Sequence, residues 1–364
     1  MTTSLFDPIQ LGAIHAPNRI LMAPLTRGRS EGVHVPISAL KADYYAQRAS
    51  AGLIIAEATG ISQEGSGWPA APGIWSAEHV EAWKPVTDAV HKADGRIILQ
   101  LWHMGRLVHP DFLGGAQPVS SSATTAPGYA HTPTGKKDYV EARALRLDEI
   151  PRLIGDYVNA AKNALAAGFD GVQIHSANGY LLDQFLRDNA NLRDDDYGGS
   201  IENRIRLTTE VAQAISDTIG ADRTSVRLSP NGETQGCDDS NPVALFTAAA
   251  AALQKVGIGF LELREQKTFG SFGTSDVPPV SPEIRKVFTN PLVLNQEYTL
   301  ETAQADVASG LADAISFGRP YISNPDLVER LRAGAAVAPD NFKTWYSPGA
   351  EGYTDYPTLE TEAA

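Results

Sequence analysis

Short runs of apolar residues recur along the chain, and longer stretches of mixed polarity separate each run from the next. Their near-continuous apolar character is typical of strands in a parallel sheet that helices cover. The runs that fit such a strand lie at residues 20–25, 53–58, 96–101, 171–175, 224–229, 258–263, 291–295 and 313–318. Helical patterns lie between several of them, at residues 77–93, 147–167, 200–219 and 241–256. The pattern therefore predicts repeated units of strand followed by helix.

Repeated units of this kind predict an α/β fold, and eight of them close into a (β/α)8 TIM barrel. A doubly wound open sheet is the alternative fold for the same pattern. That fold binds nucleotides through a glycine-rich turn directly after its first strand, and the nearest match lies at residues 65–70. This match follows its strand too late and has Pro69 where a helix should begin, so we favour the barrel.

Two segments lie outside the regular pattern. Residues 102–148 follow the third strand, are rich in Gly, Pro, Ser and Thr, and are expected to form an insertion that caps the barrel mouth. Residues 5–14 are expected to form a small N-terminal hairpin that closes the other end of the barrel. No linker or low-complexity tract divides the chain, so we predict one domain over residues 1–364.

Composition and charge argue against several classes of partner. A net charge of −13 and a pI near 5.1 disfavour nucleic acid or an anionic membrane surface. No apolar run approaches the ~20 residues of a membrane span, and no basic segment precedes an apolar one at the N-terminus, so we expect a cytoplasmic location. Cys237 is the only cysteine, which excludes an intrachain disulfide. No histidine pair has the spacing of a metal-binding helix, so we expect no metal site.

Polar or small residues stand where several predicted strands end, and this edge of a TIM barrel carries the active site. Thr26 follows the first strand, Ala58 ends the second, Gln100 lies near the end of the third, Arg227 is on the fifth, and Arg319 follows the eighth. The side of the barrel at strands seven and eight commonly binds phosphate through backbone N–H groups. Together these positions suit a ligand with a flat polar ring system and a phosphate.

The sequence HSANGY places three hydrogen-bonding side chains at the end of the fourth strand. His175 closes the strand, and Asn178 and Tyr180 follow directly in the next turn. Gly179 allows the backbone to turn sharply between Asn178 and Tyr180. We therefore expect this segment to contact a ligand.

Several longer motifs resemble those of the old yellow enzyme family, the FMN-dependent ene-reductases, in its classical bacterial branch. The motifs are NRILMAPLTR at 18–27, HSANGYLLDQFL at 175–186, DDYGGSIENR at 195–204, FGRPYISNPDLV at 317–328 and AEGYTDYP at 350–357. They occur in the order of the family and cover nearly the whole chain.

The resemblance implies a non-covalent FMN cofactor, with NADPH or NADH as a transient reductant. Gln100 would pair with the pyrimidine edge of the flavin, and Arg227 would lie beside N1 and O2, where negative charge accumulates on reduction. The residues implied to bind FMN are Pro24, Leu25, Thr26, Ala58, Gln100, His175, Arg227, Asn295, Gly318 and Arg319.

The segment after the seventh strand departs from the family pattern. This chain has Leu294-Asn295-Gln296-Glu297-Tyr298 where relatives often have a glycine-rich turn. Gly318 and Arg319 would hold the FMN phosphate, and a carboxylate beside them would repel it. Glu297 is therefore expected to point away from the phosphate site.

The implied reaction is reduction of the C=C bond of activated alkenes, namely α,β-unsaturated carbonyls, nitroalkenes and maleimides. His175 and Asn178 would bind the carbonyl or nitro oxygen. The reduced flavin would deliver hydride from N5 to the β-carbon, and Tyr180 would give a proton to the α-carbon. Nicotinamide and substrate would use one pocket in turn, which gives ping-pong kinetics. The walls of the substrate pocket are implied to be Trp68, Trp102 and Tyr346.

Two other functions fit the same strand ends. One is a different FMN barrel oxidoreductase, which acts on quinones, nitroesters or hydroxy acids, although a hydroxy-acid oxidase would usually need a base in place of Tyr180. The other is a flavin-free barrel that only binds a ligand, and such a protein would be colourless. We expect a monomer or a homodimer whose partner is a small-molecule activated alkene.

Overall fold

The computed structural model describes residues 3–270 and 273–362. Within these residues, eight parallel strands close into a barrel, each paired with the next along the chain and the last paired with the first. The strands are β1 (Ile20–Met22), β2 (Ile54–Gly60), β3 (Ile97–Trp102), β4 (Val172–His175), β5 (Thr224–Leu228), β6 (Phe260–Arg264), β7 (Leu292–Asn295) and β8 (Ala314–Phe317). The predicted α/β class and (β/α)8 TIM barrel are confirmed, and every predicted strand is present.

Helices pack around the outside of the barrel. The longer ones are α1 (Ser38–Ala46), α2 (Ala77–Lys92), α3 (Ile150–Ala166), α4 (Arg206–Ile219), α5 (Pro242–Val256), α6 (Ser281–Val287), α7 (Leu300–Ser309) and α8 (Leu327–Ala333). Shorter helices lie at Leu181–Leu186, Ile201–Arg204, Pro320–Ser323 and Leu359–Glu362. The predicted helical stretches coincide with α2 to α5, although the stretch at 200–219 is divided at Ile205.

Helix α4 shows why these segments fold against the barrel. Leu207, Val211 and Ile215 recur every fourth residue, and all three are buried. The helix therefore has one apolar stripe that covers the outer face of the strands. Among the described residues, no helix is both long enough and apolar enough to cross a membrane.

The N-terminal hairpin forms as predicted. Ile9–Leu11 and Ile14–Ala16 pair antiparallel. Gly12 makes the turn with a φ of 60°, and a Cβ there would lie 2.0 Å from the Asp222 carbonyl oxygen, so the turn requires glycine. The hairpin packs against inward-facing side chains of the barrel, namely Leu21, Leu53, Ile55, Ile98, Phe260, Val293 and Ala314. It therefore closes the amino-terminal end of the barrel.

The insertion after β3 covers the carboxyl ends of β2 and β3. Its short elements are Gly105–Leu107, Pro110–Phe112, Val119–Ser120, Tyr129–Thr132, Gly135–Asp138 and Arg143–Ala144. An apolar cluster joins it to the barrel mouth, formed by Ala58, Ala71, Trp102, Met104, Leu107, Val108 and Ala126. The insertion thus lies where a cap was predicted. One domain over 1–364 stays a prediction, and residues 1–2, 271–272 and 363–364 lie outside the described part.

The segment after α8 returns to the barrel mouth, where two buried arginines hold its backbone. Arg27 Nη2 donates to the Gly352 carbonyl oxygen at 2.7 Å, and Arg29 Nη1 donates to the Trp345 carbonyl oxygen at 2.7 Å. These hydrogen bonds fix the segment that carries Tyr346 beside the mouth.

A buried ion pair joins α1 to β2. Lys41 Nζ and Glu57 Oε1 are 2.5 Å apart, and neither side chain is exposed to solvent. Tyr45 Oη donates to Glu57 Oε1 at 3.1 Å, and the backbone N–H of Arg27 donates to Glu57 Oε2 at 3.3 Å. Burial lowers the pKa of Lys41, and the charge of Glu57 opposes that shift. This carboxylate therefore organises three segments next to Ala58.

We expect Lys41→Met to lower the free energy of unfolding by about 3–5 kcal/mol, because it leaves the Glu57 carboxylate buried without its cation. Lys84→Met is the matched control, since Lys84 and Glu81 form an exposed pair at 2.6 Å. Its effect should stay below about 1 kcal/mol. Urea unfolding followed by circular dichroism measures both variants, and equal losses would show that the Lys41 pair does not carry this role.

Candidate active site

A cavity of about 470 Å³ opens at the carboxyl ends of the barrel strands. Its lining includes every residue predicted to form the site, although these residues are spread over most of the sequence. They are Pro24, Leu25, Thr26, Ala58, Trp68, Gln100, Trp102, His175, Asn178, Tyr180, Arg227, Asn295, Gly318, Arg319 and Tyr346. The fold therefore brings them together in one space.

The floor of the cavity is a line of buried polar side chains that crosses the barrel. Gln100 Nε2 donates to Gln173 Oε1 at 2.8 Å, and Gln173 Nε2 donates to Glu262 Oε2 at 2.9 Å. Ser316 Oγ donates to the other oxygen of Glu262 at 2.5 Å. This line fixes the amide of Gln100, which keeps its oxygen and one N–H for a ligand.

Arg227 is buried in the cavity wall, and only some of its guanidinium N–H groups have hydrogen-bond partners among the described residues. Its Nη2 donates to Asn295 Oδ1 at 2.7 Å, and Asn295 Nδ2 donates to the Ser316 carbonyl oxygen at 2.8 Å. Glu262 Oε2 lies 3.6 Å from Arg227 Nε, and this Nε has no hydrogen-bond partner among the described residues. The guanidinium thus pairs with Glu262 by charge and keeps hydrogen-bonding capacity that a ligand in the cavity could use.

His175 is a neutral imidazole in this environment. Burial lowers its pKa well below the ordinary value, and the positive charges of Arg227 and Arg264 lower it further. Its Nδ1 is buried without a hydrogen-bond partner in the described part of the chain. The ring packs edge-on against Tyr180, with ring centroids 4.9 Å apart. A neutral imidazole has one N–H, so His175 can donate to an acceptor atom in the cavity.

Asn178 lies in a left-handed turn with a φ of 59°. The next residue, Gly179, has a φ of 76°, and a Cβ there would lie 2.6 Å from the Thr234 carbonyl oxygen. The backbone N–H of Asn178 donates to Ser229 Oγ at 2.8 Å, and its carbonyl oxygen accepts from Gln235 Nε2 at 2.7 Å. The surrounding loops therefore hold this strained turn from both sides.

Tyr180 carries a protonated hydroxyl beside His175. Burial raises the pKa of Tyr180, and a hydrogen bond from Gln235 opposes that shift. The Tyr180 ring packs edge-on against Trp102, with centroids 5.0 Å apart. Trp68 packs against Tyr346, with centroids 5.3 Å apart. The aromatic rings thus form apolar walls beside the polar groups of His175 and Tyr180.

Sequence reasoning missed several residues that also line the cavity, namely Gln235, Arg264, Gln296, Tyr298 and Trp345. Arg264 ends β6 two positions after Glu262, so both side chains lie on the same side of the strand. The rule that strand ends carry the site would have found Arg264 if it had been applied to the sixth strand. The others lie on loops, and sequence patterns do not fix the path of a loop.

The expected direction of Glu297 was wrong. Its two carboxylate oxygens lie 3.0 and 2.8 Å from Arg319 Nη2, so the two residues form an ion pair inside the cavity. Gln296 and Glu297 have φ values of 108° and 52°, and this turn brings the carboxylate toward β8. The attraction between opposite charges then holds it on Arg319.

The single cysteine, Cys237, does not line the cavity. Burial raises the pKa of the Cys237 thiol to about 12, so it is not a reactive thiolate at neutral pH. Its Sγ accepts a hydrogen bond from Arg106 Nη2 at 3.3 Å. In the part of the chain that the structure describes, no group of His, Cys, Asp or Glu is arranged to hold a metal ion.

Comparison with known proteins identifies the family. A model of the NADH:flavin oxidoreductase / NADH oxidase family matches residues 4–337. The chain belongs to this family. Its members with solved structures include an old yellow enzyme homologue from Zymomonas mobilis, which is 62% identical with a TM-score of 0.96. That likeness covers 98% of this chain and 100% of the Zymomonas chain.

Two further relatives are more distant. Morphinone reductase in complex with tetrahydroNAD is 42% identical with a TM-score of 0.93, and the likeness covers 100% of this chain and 99% of the other. The 12-oxophytodienoate reductase 2 of Arabidopsis thaliana is 40% identical over 366 residues, which is 99% of this chain and 96% of the relative. The resemblance to the old yellow enzyme family is thus confirmed.

The cavity fits the cofactor of the family, which is FMN with a nicotinamide as reductant. Gln100 has a free amide edge, and Arg227 has a buried N–H without a partner in the described chain. Ala58 contributes a small side chain to the wall, and a cavity of about 470 Å³ lies within the range of ligand-binding pockets.

Proposed function

We propose that this member of the old yellow enzyme family is an NAD(P)H-dependent ene-reductase. Its substrates would be α,β-unsaturated carbonyls, nitroalkenes and maleimides, and it would reduce their C=C bond. The observation that carries the proposal is the grouping of His175, Asn178 and Tyr180 near Arg227 in one cavity. Two hydrogen-bond donors and a protonated phenol suit the reduction of a polarised alkene. Relatives named morphinone reductase and 12-oxophytodienoate reductase support this class of reaction.

Bound FMN would supply a two-electron carrier between the nicotinamide and the alkene. Gln100 would bind the pyrimidine edge of the ring through its amide. Arg227 would place its charge and its unsatisfied Nε by N1 and O2. The other residues proposed to hold FMN are Pro24, Leu25, Thr26, Ala58, His175 and Asn295 at the ring, with Gly318 and Arg319 at the phosphate.

His175 and Asn178 would bind the substrate oxygen. Neutral His175 donates one N–H, and the Asn178 amide donates a second from the neighbouring turn. Hydrogen bonds to a carbonyl or nitro oxygen stabilise the negative charge that develops there during reduction. The same bonds withdraw electrons from the β-carbon and so make it easier to reduce.

Tyr180 would give its phenolic proton to the α-carbon. Because burial raises its pKa, the hydroxyl keeps its proton until a basic carbon centre forms beside it. The aromatic side chains would exclude water from the pocket, so that the proton comes from Tyr180. They are Trp68, Trp102 and Tyr346.

We also propose that the protein is cytoplasmic and is a monomer or a homodimer. Its partner would be a small-molecule activated alkene, with neither a nucleic acid nor a membrane as partner. A net charge of −13 supports the last two points, because it repels polyanions and anionic lipid surfaces.

The proposed function is tested with the purified protein, NADPH or NADH, and 2-cyclohexenone. We expect heating to release FMN from the protein, and the enzyme to reduce the C=C bond while the carbonyl remains. A protein that holds no flavin would support a binding module instead. A protein that holds FMN and reduces quinones or nitroesters but not the alkene would support a different flavin oxidoreductase.

In the same assay, we expect Tyr180→Phe to slow re-oxidation of the reduced enzyme by cyclohexenone by about 10²–10⁴-fold, the range that a positioned general acid contributes. Quinones should be affected much less, because hydride transfer leaves a stable oxyanion that can take its proton from solvent after it leaves the pocket. Stopped-flow measurement separates reduction by NADPH from re-oxidation. Re-oxidation by cyclohexenone at the parent rate would show that Tyr180 is not the proton donor.

We expect Glu297→Gln to strengthen FMN binding by roughly two- to fivefold, the size of a partly exposed ion pair. The reason is that Glu297 competes with the FMN phosphate for the Arg319 guanidinium. Riboflavin lacks the phosphate and is the matched control ligand, so its affinity should change little. Fluorescence titration of the flavin-free protein gives both dissociation constants. An equal change for the two flavins would exclude this competition.

A further inference from the structure

Arg264 is a buried cation that has no role in the reaction as described above. It ends β6, is 2% exposed and lines the cavity. Its Nη1 donates to Asn178 Oδ1 at 3.0 Å, and its Nε donates to Gln296 Oε1 at 3.0 Å. Burial and the nearby charge of Arg227 lower the pKa of Arg264 to about 9, so it remains charged at neutral pH.

The contact with Arg264 decides which end of the Asn178 amide faces the ligand. A guanidinium group only donates hydrogen bonds, so the amide atom beside it must be the oxygen. The amide nitrogen then lies on the other side, and no described residue accepts a hydrogen bond from it. Without Arg264, the amide could rotate and present its oxygen to the cavity.

We propose that Arg264 is a positioning residue that makes Asn178 a hydrogen-bond donor toward the substrate. This inference rests on the proposed function and deepens it, because it names the substrate atom that the site selects. His175 supplies a second N–H in the same cavity. A pair of donors favours carbonyl, nitro and imide oxygens, and disfavours ligands that offer only N–H or O–H groups.

Gln296 also holds Arg264, through the hydrogen bond from Nε. Its φ of 108° is unusual for a residue other than glycine, and such strain persists only where the surroundings hold it. Arg264 thus connects the substrate-binding amide to the loop after β7. A guanidinium suits this connection because its N–H groups diverge in a fixed plane, which a lysine cannot reproduce.

The test is a double-mutant cycle between Arg264 and Asn178 on the FMN-loaded protein. The probe is 2-cyclohexenone, whose binding to the oxidised protein perturbs the flavin absorption band. A neutral probe reports the hydrogen bond rather than the charge of Arg264. We expect Arg264→Met to weaken binding roughly three- to tenfold, the size of one neutral hydrogen bond. In the Asn178→Leu background, the same substitution should change binding by less than about twofold, because the amide is already gone.

Arg48→Met is the control for general loosening of the fold. It removes an equally buried guanidinium, which packs over Tyr44 outside the cavity, and should leave the probe affinity within about twofold of the parent. If Arg264→Met does not retain FMN, Arg264→Gln is measured in the same way with the same expectation, because a glutamine amide can accept as well as donate and so does not fix which end of the Asn178 amide faces the cavity.

The inference would be overturned if Arg264→Met bound 2-cyclohexenone as tightly as the parent. It would also be overturned if Arg264→Met lost the same affinity in the parent and in the Asn178→Leu background. In both cases the parent still holds FMN and binds the probe, so the proposed function stands. If the parent protein neither holds FMN nor binds 2-cyclohexenone, the proposed function is overturned, and the inference falls with it.

Discussion

Two guanidinium groups buried at the carboxyl end of the barrel, Arg227 and Arg264, determine the chemistry of the cavity. A buried charge requires a partner. Glu262, the carboxylate nearest Arg227 Nε, already accepts hydrogen bonds from Gln173 and Ser316. Its single negative charge lies 3.6 Å from Arg227 Nε and offsets only part of the positive charge of the two guanidinium groups. Burial and, after it, the charges of Arg227 and Arg264 lower the pKa of His175 and keep it neutral. The same two charges suit a ring system that gains negative charge when it is reduced.

The register of the parallel strands brings these groups together. His175 on β4 pairs with Arg227 on β5, and Arg227 pairs with Glu262 on β6. One level higher, Arg264 on β6 pairs with Asn295 on β7. Because side chains alternate along each strand, residues at one level of a closed barrel face a common space. The pairing of the strands therefore makes the side chains of His175, Arg227 and Glu262 neighbours.

The features that could be predicted from the sequence are those that depend on residues close together in the chain. Apolar runs marked the eight strands, and the polar residues after them marked most of the cavity, including His175 and Tyr180. The contacts that orient these side chains could not be predicted in this way. Arg264 reaches Asn178 across 86 positions of the chain. Glu297 reaches Arg319 through a left-handed turn without glycine, which no local rule predicts. The roles of single residues toward FMN remain proposals for the same reason.

The decisive measurement for the role of Arg227 is the reduction potential of bound FMN in the parent and in Arg227→Met. Methionine removes the charge and keeps much of the side-chain volume. If Arg227 stabilises negative charge on the reduced flavin, the potential of the variant will be more negative by at least about 30 mV, which is about 1.4 kcal/mol for a two-electron couple. Equal potentials in two proteins that both retain FMN would show that the buried cation does not act on the flavin.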